Sequence, residues 1–186
     1  MTDAHTLPPD LPAPPDDGAC AHLTGSRWPA LALPGTDGQV HDLATLPGRT
    51  VVYVYPKTAR PGQAMPDDWD LIPGARGCTP QSCAFRDHHA ELRAAGARVF
   101  GLSRQNTAYQ REAAERLHLP FPLLSDAAGE LTRALRLPTF TAGGKTLLRR
   151  VTLIVRDVRI EKVFYPVFPP NRNAGDVLAW LMDHPA

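Results

Sequence analysis

The chemistry-bearing stretch of this chain is Gly77-Cys78-Thr79-Pro80-Gln81-Ser82-Cys83, two thiols five residues apart between an irregular segment and a helical one. A cysteine in the first turn of a helix lies beside unpaired backbone N–H groups and the positive end of the helix dipole, both of which favour thiolate. An ordinary cysteine is only a few per cent thiolate at pH 7, whereas a reactive one must be largely ionised. A helix N-terminus typically contributes ~0.3–1 kcal/mol, too little alone, so a cation must come from elsewhere in the chain.

The spacing adds a second constraint. Residues five apart on an α-helix have Cα atoms ~8.6 Å apart, beyond the ~7 Å that a disulfide tolerates. Cys78 and Cys83 are therefore held apart while the helix is intact and can join only after local unwinding. Pro80, which donates no backbone hydrogen bond, makes that turn easier to open. Read from spacing alone, a pair of buried structural cysteines remains an equal alternative. A metal site from Cys78, Cys83, His88 and His89 is disfavoured, because Cys78 and His89 would lie about 16 Å apart along the axis. The two histidines read as helix surface.

The elements that must position these thiols follow from pattern. Val51 to Tyr55 is a continuous apolar run ended by Pro56, as expected of a strand buried on both faces. Residues 58–77, broken by Pro61, Pro66 and Pro73, read as a long loop. A helix is expected from Cys78 to about Ala95, stopped by Gly96. A strand follows at Arg98–Ser103, then a helix capped by Asn106 or Thr107 and stopped by Pro120. A short strand at Phe121–Leu124 and a short helix at Ala127–Leu135 come next. Strands at Leu147–Val155 and Arg159–Phe164 and a C-terminal helix with Asn173 as its cap complete the order. Upstream, Leu31–Leu33 and Val40–Leu43 form a strand pair around Gly35-Thr36-Asp37-Gly38. Crossover helices followed by a hairpin give an α/β fold with a central mixed β-sheet flanked by helices.

Residues 1–25, with Pro8, Pro9, Pro12, Pro14 and Pro15, read as a proline-rich mobile N-terminal arm carrying Cys20 as an exposed thiol. The folded domain is expected over 26–186. Twenty basic residues against 19 acidic give a net charge of +1, without the positive footprint that nucleic acid or an anionic membrane requires. Three cysteines, an odd number, argue against a permanent disulfide scaffold and for reduced thiols in a cytoplasm. The N-terminus does not read as a signal peptide.

Taken together, Val51-Val52-Tyr53-Val54-Tyr55-Pro56-Lys57, the Cys78–Cys83 motif continued by Ala84-Phe85-Arg86-Asp87, Gly101-Leu102-Ser103, Leu119 to Asp126, and Arg150-Val151-Thr152-Leu153-Ile154 resemble the peroxiredoxins of the Q type, or bacterioferritin-comigratory proteins. The resemblance runs from about Trp28 to the C-terminal helix. It implies a thioredoxin-like fold and a thiol-dependent peroxidase acting on hydrogen peroxide and organic hydroperoxides, without cofactor or metal. Cys78 matches the peroxidatic cysteine and Cys83 the resolving cysteine, which would form an intramolecular disulfide recycled by thioredoxin or a similar dithiol. Arg150 matches the active-site arginine and would supply the missing cation; the plainer reading is a solvated strand-end charge beside Arg149. Q-type members are often monomers.

This chain departs from the family pattern in one place that matters. Ala75 stands three residues before Cys78, where the family has a Thr or Ser, and Leu71 stands where it has a proline. Aligning Tyr55–Gly62 with the family's Tyr-Pro-Lys and Thr-Pro-Gly instead puts Arg60 in the threonine slot and makes residues 63–77 an insertion. Pro56 then resembles the proline that shields the thiolate, and Thr58 and Thr79 are the candidates for the displaced hydroxyl. Met65 and Trp69 read as packing within a surface loop, and Arg156-Asp157-Val158-Arg159 fills a hairpin turn where a glycine is usual. Two other functions fit such a fold: a protein thiol–disulfide oxidoreductase, which the spacing disfavours, and a non-catalytic redox sensor.

Overall fold

The computed structural model describes residues 7–185. Its centre is β3 (Arg49–Val54), every residue of which is buried. The run carries no polar alternation because both faces are covered. β3 pairs in parallel with β4 (Ala97–Ser103) and antiparallel with β8 (Val151–Arg156). β5 (Leu123–Ser125) and β9 (Arg159–Phe164) complete a mixed sheet in the order β5-β4-β3-β8-β9.

Side chains alternate across this sheet. Val51 and Tyr53 face Phe85 of α1 (Cys78–Asp87), Leu92 of α2 (His89–Ala94) and Val177 and Leu181 of α5 (Asn173–Asp183). Val52 and Val54 face the opposite cluster with Trp28, Leu33 and Leu131. α3 (Thr107–Arg116) is capped as expected by Asn106, whose side chain accepts from the Tyr109 amide at 2.8 Å. α4 (Glu130–Ala134) contributes Leu131, and β1 (Ala32–Pro34) pairs with β2 (Val40–Asp42). The α/β class and mixed sheet follow the expectation.

Several local expectations need correction. The helix from Cys78 is two helices, divided at His88, before Gly96 takes the positive φ of +82° expected of a helix stop. The single strand expected over Leu147–Val155 is divided too. β6 (Thr139–Ala142) and β7 (Lys145–Leu148) form a separate hairpin around Gly143-Gly144, and the chain enters β8 only after Arg149 and Arg150. The loop over 58–77 contains a 3₁₀ turn at Trp69–Leu71. Trp69 and Ala75 pack there with Ala142, Leu147, Met65 and Phe140, so the 63–77 segment and the β6–β7 hairpin share a small core of their own.

The N-terminal segment differs most. Cys20 is 4% exposed and Leu23 is 1% exposed, both in the cluster of Trp28 and Val52. A turn bonds Leu23 N–H to Cys20 O at 3.1 Å and presents both side chains to the sheet. Burial, reinforced by Asp17 and Asp16, pushes the Cys20 thiol up to about 12, so it is a protonated core residue and not an exposed thiol. Farther back, Pro14 meets Gly74 and Leu7 meets Gly77, while Tyr165 donates to Asp17 Oδ1 at 2.8 Å. Residues 1–6 of the expected arm lie outside the described residues.

The β8–β9 turn manages without glycine. Asp157 and Val158 have φ of +43° and +75°, and the turn is held by Gly48 N–H donating to Asp157 Oδ1 at 2.9 Å and Trp28 N–H donating to Val158 O at 2.7 Å.

Candidate active site

Gly77 precedes α1 with φ +108°, a conformation that L side chains rarely adopt, and a Cβ there would run into Pro170 Cγ. The sharp entry makes Cys78 the first residue of the helix, 3% exposed. The first internal bond is Gln81 N–H to Gly77 O, at 3.0 Å. The Cys78 and Thr79 amides ahead of it have no partner within the helix, and Pro80 has no N–H to offer.

The cation is Arg150, 3% exposed. It follows the β6–β7 hairpin and immediately precedes β8, and the break between those strands is what turns its side chain inward. Its Nη2 donates to Cys78 Sγ at 3.4 Å, and to the carbonyls of Gly74, Ala75 and Arg76 at 3.3, 3.2 and 3.2 Å. Nη1 donates to Gln81 Oε1. Arg150 makes no salt bridge with a carboxylate among the described residues. The Cys78 thiol itself donates to Ala75 O at 3.7 Å. Arg150 Nε is buried without a hydrogen-bond partner. Nε–H and Nη2 lie on the same edge of the guanidinium fork; the two Nη2 hydrogens are shared among the sulfur and the three carbonyls, while Nε–H has no hydrogen-bond partner.

Cys83 is half-buried farther along α1. Burial raises the Cys83 thiol above its ordinary range; Arg86 and Arg116 oppose the shift and Asp87 adds to it. The two cysteines are thus unlike, one touching a buried cation and one held mostly as thiol. The intact helix keeps them apart, as the spacing requires.

The redoxin family model matches residues 23–178. Peroxiredoxin Bcp of Escherichia coli (strain K12) is 32% identical over 167 residues, covering 86% of this chain and 96% of that protein. This chain belongs to the peroxiredoxins of the Q/Bcp type. The putative chloroplastic peroxiredoxin Q of Oryza sativa subsp. indica is 31% identical over 159 residues; the match takes in 84% of this chain and 65% of the rice protein, so just under two thirds of that relative is spanned. Among solved structures, peroxidoxin BcpB from Mycobacterium tuberculosis superposes with a TM-score of 0.71 at 26% identity, covering 88% of this chain and 99% of that one. The Xanthomonas campestris bacterioferritin comigratory protein gives 0.65 at 22% identity, covering 95% and 100%. The expected thioredoxin-like fold is the one these neighbours share.

Within this peroxiredoxin, the structure brings together Cys78 and Arg150 but ties Thr58 elsewhere. Thr58 is fully buried, and both its amide and its hydroxyl donate to Gln105 Oε1, at 3.1 and 3.2 Å. Its proton is committed to the loop after β4. Thr79 is 3% exposed as the second residue of α1, and Pro56 is buried directly after Tyr55, which shares a core cluster with Cys78. Tyr53, whose hydroxyl donates to Ser82 Oγ at 3.0 Å, is pushed well up by burial and stays protonated beneath α1.

Three further residues surround the site that motif reading did not single out. Gln81 joins Arg150 to Asn173, donating from Nε2 to Asn173 Oδ1 at 2.9 Å, and Thr152 Oγ1 donates to the same oxygen at 2.6 Å. Gln81 could have been found: three residues after Cys78, it lies on the same helix face. Asn173, expected as a cap, is instead the buried first residue of α5, with Arg172 in the cap position. A narrow crevice lined by Pro14, Gly74, Phe140, Tyr165 and Pro166 reaches Arg150. A broader groove between Thr36, Asp37 and α3 includes neither Cys78 nor Arg150.

Proposed function

We propose that the protein is a thiol peroxidase in which Cys78 is the peroxidatic and Cys83 the resolving cysteine. The observation that carries this is the Arg150 guanidinium, buried without a carboxylate and in contact with Cys78 Sγ. A buried cation with no counter-charge favours an anion beside it, and the Cys78 thiolate is the anion the site can make.

The thiolate attacks the distal oxygen of a hydroperoxide; the S–O bond forms, the O–O bond breaks, and the departing alkoxide or hydroxide takes a proton to leave as alcohol or water. Cys78 is then a sulfenic acid. The open Nε–H of Arg150 is the donor we assign to the peroxide oxygen, in place of the hydroxyl lost at Ala75. The first turns of α1 unwind, the Cys83 sulfur attacks the sulfenic sulfur as the S–O bond breaks, and the proton of the Cys83 thiol leaves with the hydroxide as water, so that a disulfide remains. A dithiol protein of the thioredoxin class restores both thiols by exchange. We assign catalysis to a monomer, in one unit that includes the docked Cys20–Leu23 turn and has 63–77 inserted, working in a reducing compartment such as the cytoplasm. No helix among the described residues is long and apolar enough to cross a membrane.

The test is a single turnover of reduced protein with hydrogen peroxide, followed by intact mass. One disulfide should form, Cys78→Ser should abolish peroxide consumption, and Cys83→Ser should leave a trappable sulfenic acid. Full activity of Cys78→Ser overturns the assignment; a peroxide rate no faster than a free thiol's favours the redox-sensor reading, and reduction of insulin disulfides without peroxide favours the oxidoreductase.

A further inference from the structure

Arg150 and Thr152 come from the same face of one strand end, two residues apart, and their side chains are joined through two helices. Arg150 Nη1 donates to Gln81 Oε1 on α1, Gln81 Nε2 donates to Asn173 Oδ1 on α5, and Thr152 Oγ1 donates back to Asn173 Oδ1. All four side chains are buried, Gln81 and Thr152 completely. We propose that Asn173 is a positioning residue for the peroxide step, fixing the Gln81 carboxamide so that its oxygen holds Arg150 with Nη2 on Cys78 Sγ. This rests on the peroxidase reading above.

The donor and acceptor inventory decides the orientation. Arginine has only donors, so Gln81 must turn its oxygen toward Arg150. Its amide nitrogen then needs an acceptor on the far side, and Asn173 Oδ1 is that acceptor. The Thr152 hydroxyl takes the second lone pair of the same oxygen and holds it toward Gln81. A flipped Gln81 would set nitrogen against guanidinium and oxygen against oxygen, leaving several buried groups unpaired at once, the costly arrangement inside a protein. Without Asn173 Oδ1 that discrimination is lost, and Arg150 keeps only the loop carbonyls to set its angle.

The ring also closes only while α1 is wound, because Gln81 lies between the two cysteines. The unwinding that lets Cys83 reach the sulfenic sulfur therefore withdraws Gln81 and frees Arg150 from the spent site. Rewinding after reduction restores both contacts together.

The decisive experiment compares Asn173→Leu, which removes the acceptor at similar volume, with Asn173→Asp, which keeps an oxygen in its place. Each full-length variant is reduced and two rates at Cys78 are measured: oxidation by hydrogen peroxide, and alkylation by neutral iodoacetamide, which needs no donor fork. Asn173→Leu should oxidise about tenfold more slowly, the size of one hydrogen bond to a charged group, with alkylation near the native rate. Asn173→Asp should restore peroxide reactivity. Thr152→Val, a milder change, should slow peroxide alone by a smaller factor and serves if Asn173→Leu does not fold. Native peroxide rates in Asn173→Leu or Thr152→Val, equal loss in Asn173→Asp and Asn173→Leu, or parallel loss of both reactions overturn the proposal. Failure of the peroxidase reading would show in the native protein; failure of this inference shows only in the variants.

Discussion

Arg150 Nη2 lies 3.4 Å from Cys78 Sγ while also bonding three successive carbonyls, those of Gly74, Ala75 and Arg76. One nitrogen thus fixes the reactive sulfur relative to the loop that precedes it. Lysine carries the same charge as a single ammonium without the planar fork. Arg150→Lys should therefore lower the second-order rate with peroxide by roughly 10–100-fold, the span of a charge-assisted hydrogen bond lost from a buried site. Stopped-flow measurement on the reduced protein checks this; a rate within experimental error of native would show that charge alone suffices.

Gly77 is fixed by both conformation and space. Its φ of +108° disfavours any side chain, and a Cβ would meet Pro170 and Leu7. Gly77→Ala should destabilise the protein by roughly 2–3 kcal/mol and shift the start of α1, so that peroxide reactivity falls together with the denaturation midpoint. Urea unfolding followed by a peroxide assay on the same sample reads both.

At the β8–β9 turn, Val158 is a β-branched residue at φ +75°. Such strain costs on the order of 1–3 kcal/mol, and glycine relieves it at a smaller entropic cost. Val158→Gly should stabilise the fold by about 1 kcal/mol and leave peroxide kinetics unchanged, as chemical denaturation will show.

Arg49, 3% exposed at the start of β3, makes a bidentate pair with Glu161, with both N···O distances at 2.9 Å. The hydrogen bond from Arg49 is the first cause holding the Glu161 carboxyl below its ordinary range, with Arg156 adding to it and partial burial opposing. A depressed folded-state pKa contributes stability that is present above the unfolded value, ~4.3–4.5, and is lost as pH falls through the folded value. Glu161→Gln should cost on the order of 2 kcal/mol at pH 7 and should flatten stability against pH below about 5. Denaturant midpoints at several pH values test it; unchanged acid dependence would show that other carboxylates carry it.

The parts of this fold that were legible in the sequence are those where one physical requirement dominates a run of residues. β3 could be read because burial on both faces demands an unbroken apolar segment, and α3 because Asn106 and Pro120 bracket it. The division of Leu147–Val155 could not, since a strand that leaves one sheet and enters another carries no punctuation; only Gly143-Gly144 hinted at a partner for its first half. Cys20 and Leu23 were hidden by the prolines around them: two apolar residues three apart are enough to dock a turn, but too few to make a pattern. Asn173 shows a different limit, because an asparagine at a helix start suits a cap and a buried hydrogen-bond hub equally well, and only the neighbours decide.

The loop before Cys78 holds Arg150 through main-chain oxygens alone. Main-chain oxygens do not change when a side chain does. Alanine can therefore stand at position 75 without loosening the arginine, and what the contact demands is the path of the loop, set by Gly74 and Gly77 at positive φ, more than the side chains along it. The electrostatic frame around Cys78 is thus written in backbone geometry, and a side-chain replacement at Ala75 that keeps the loop's path leaves that frame in place.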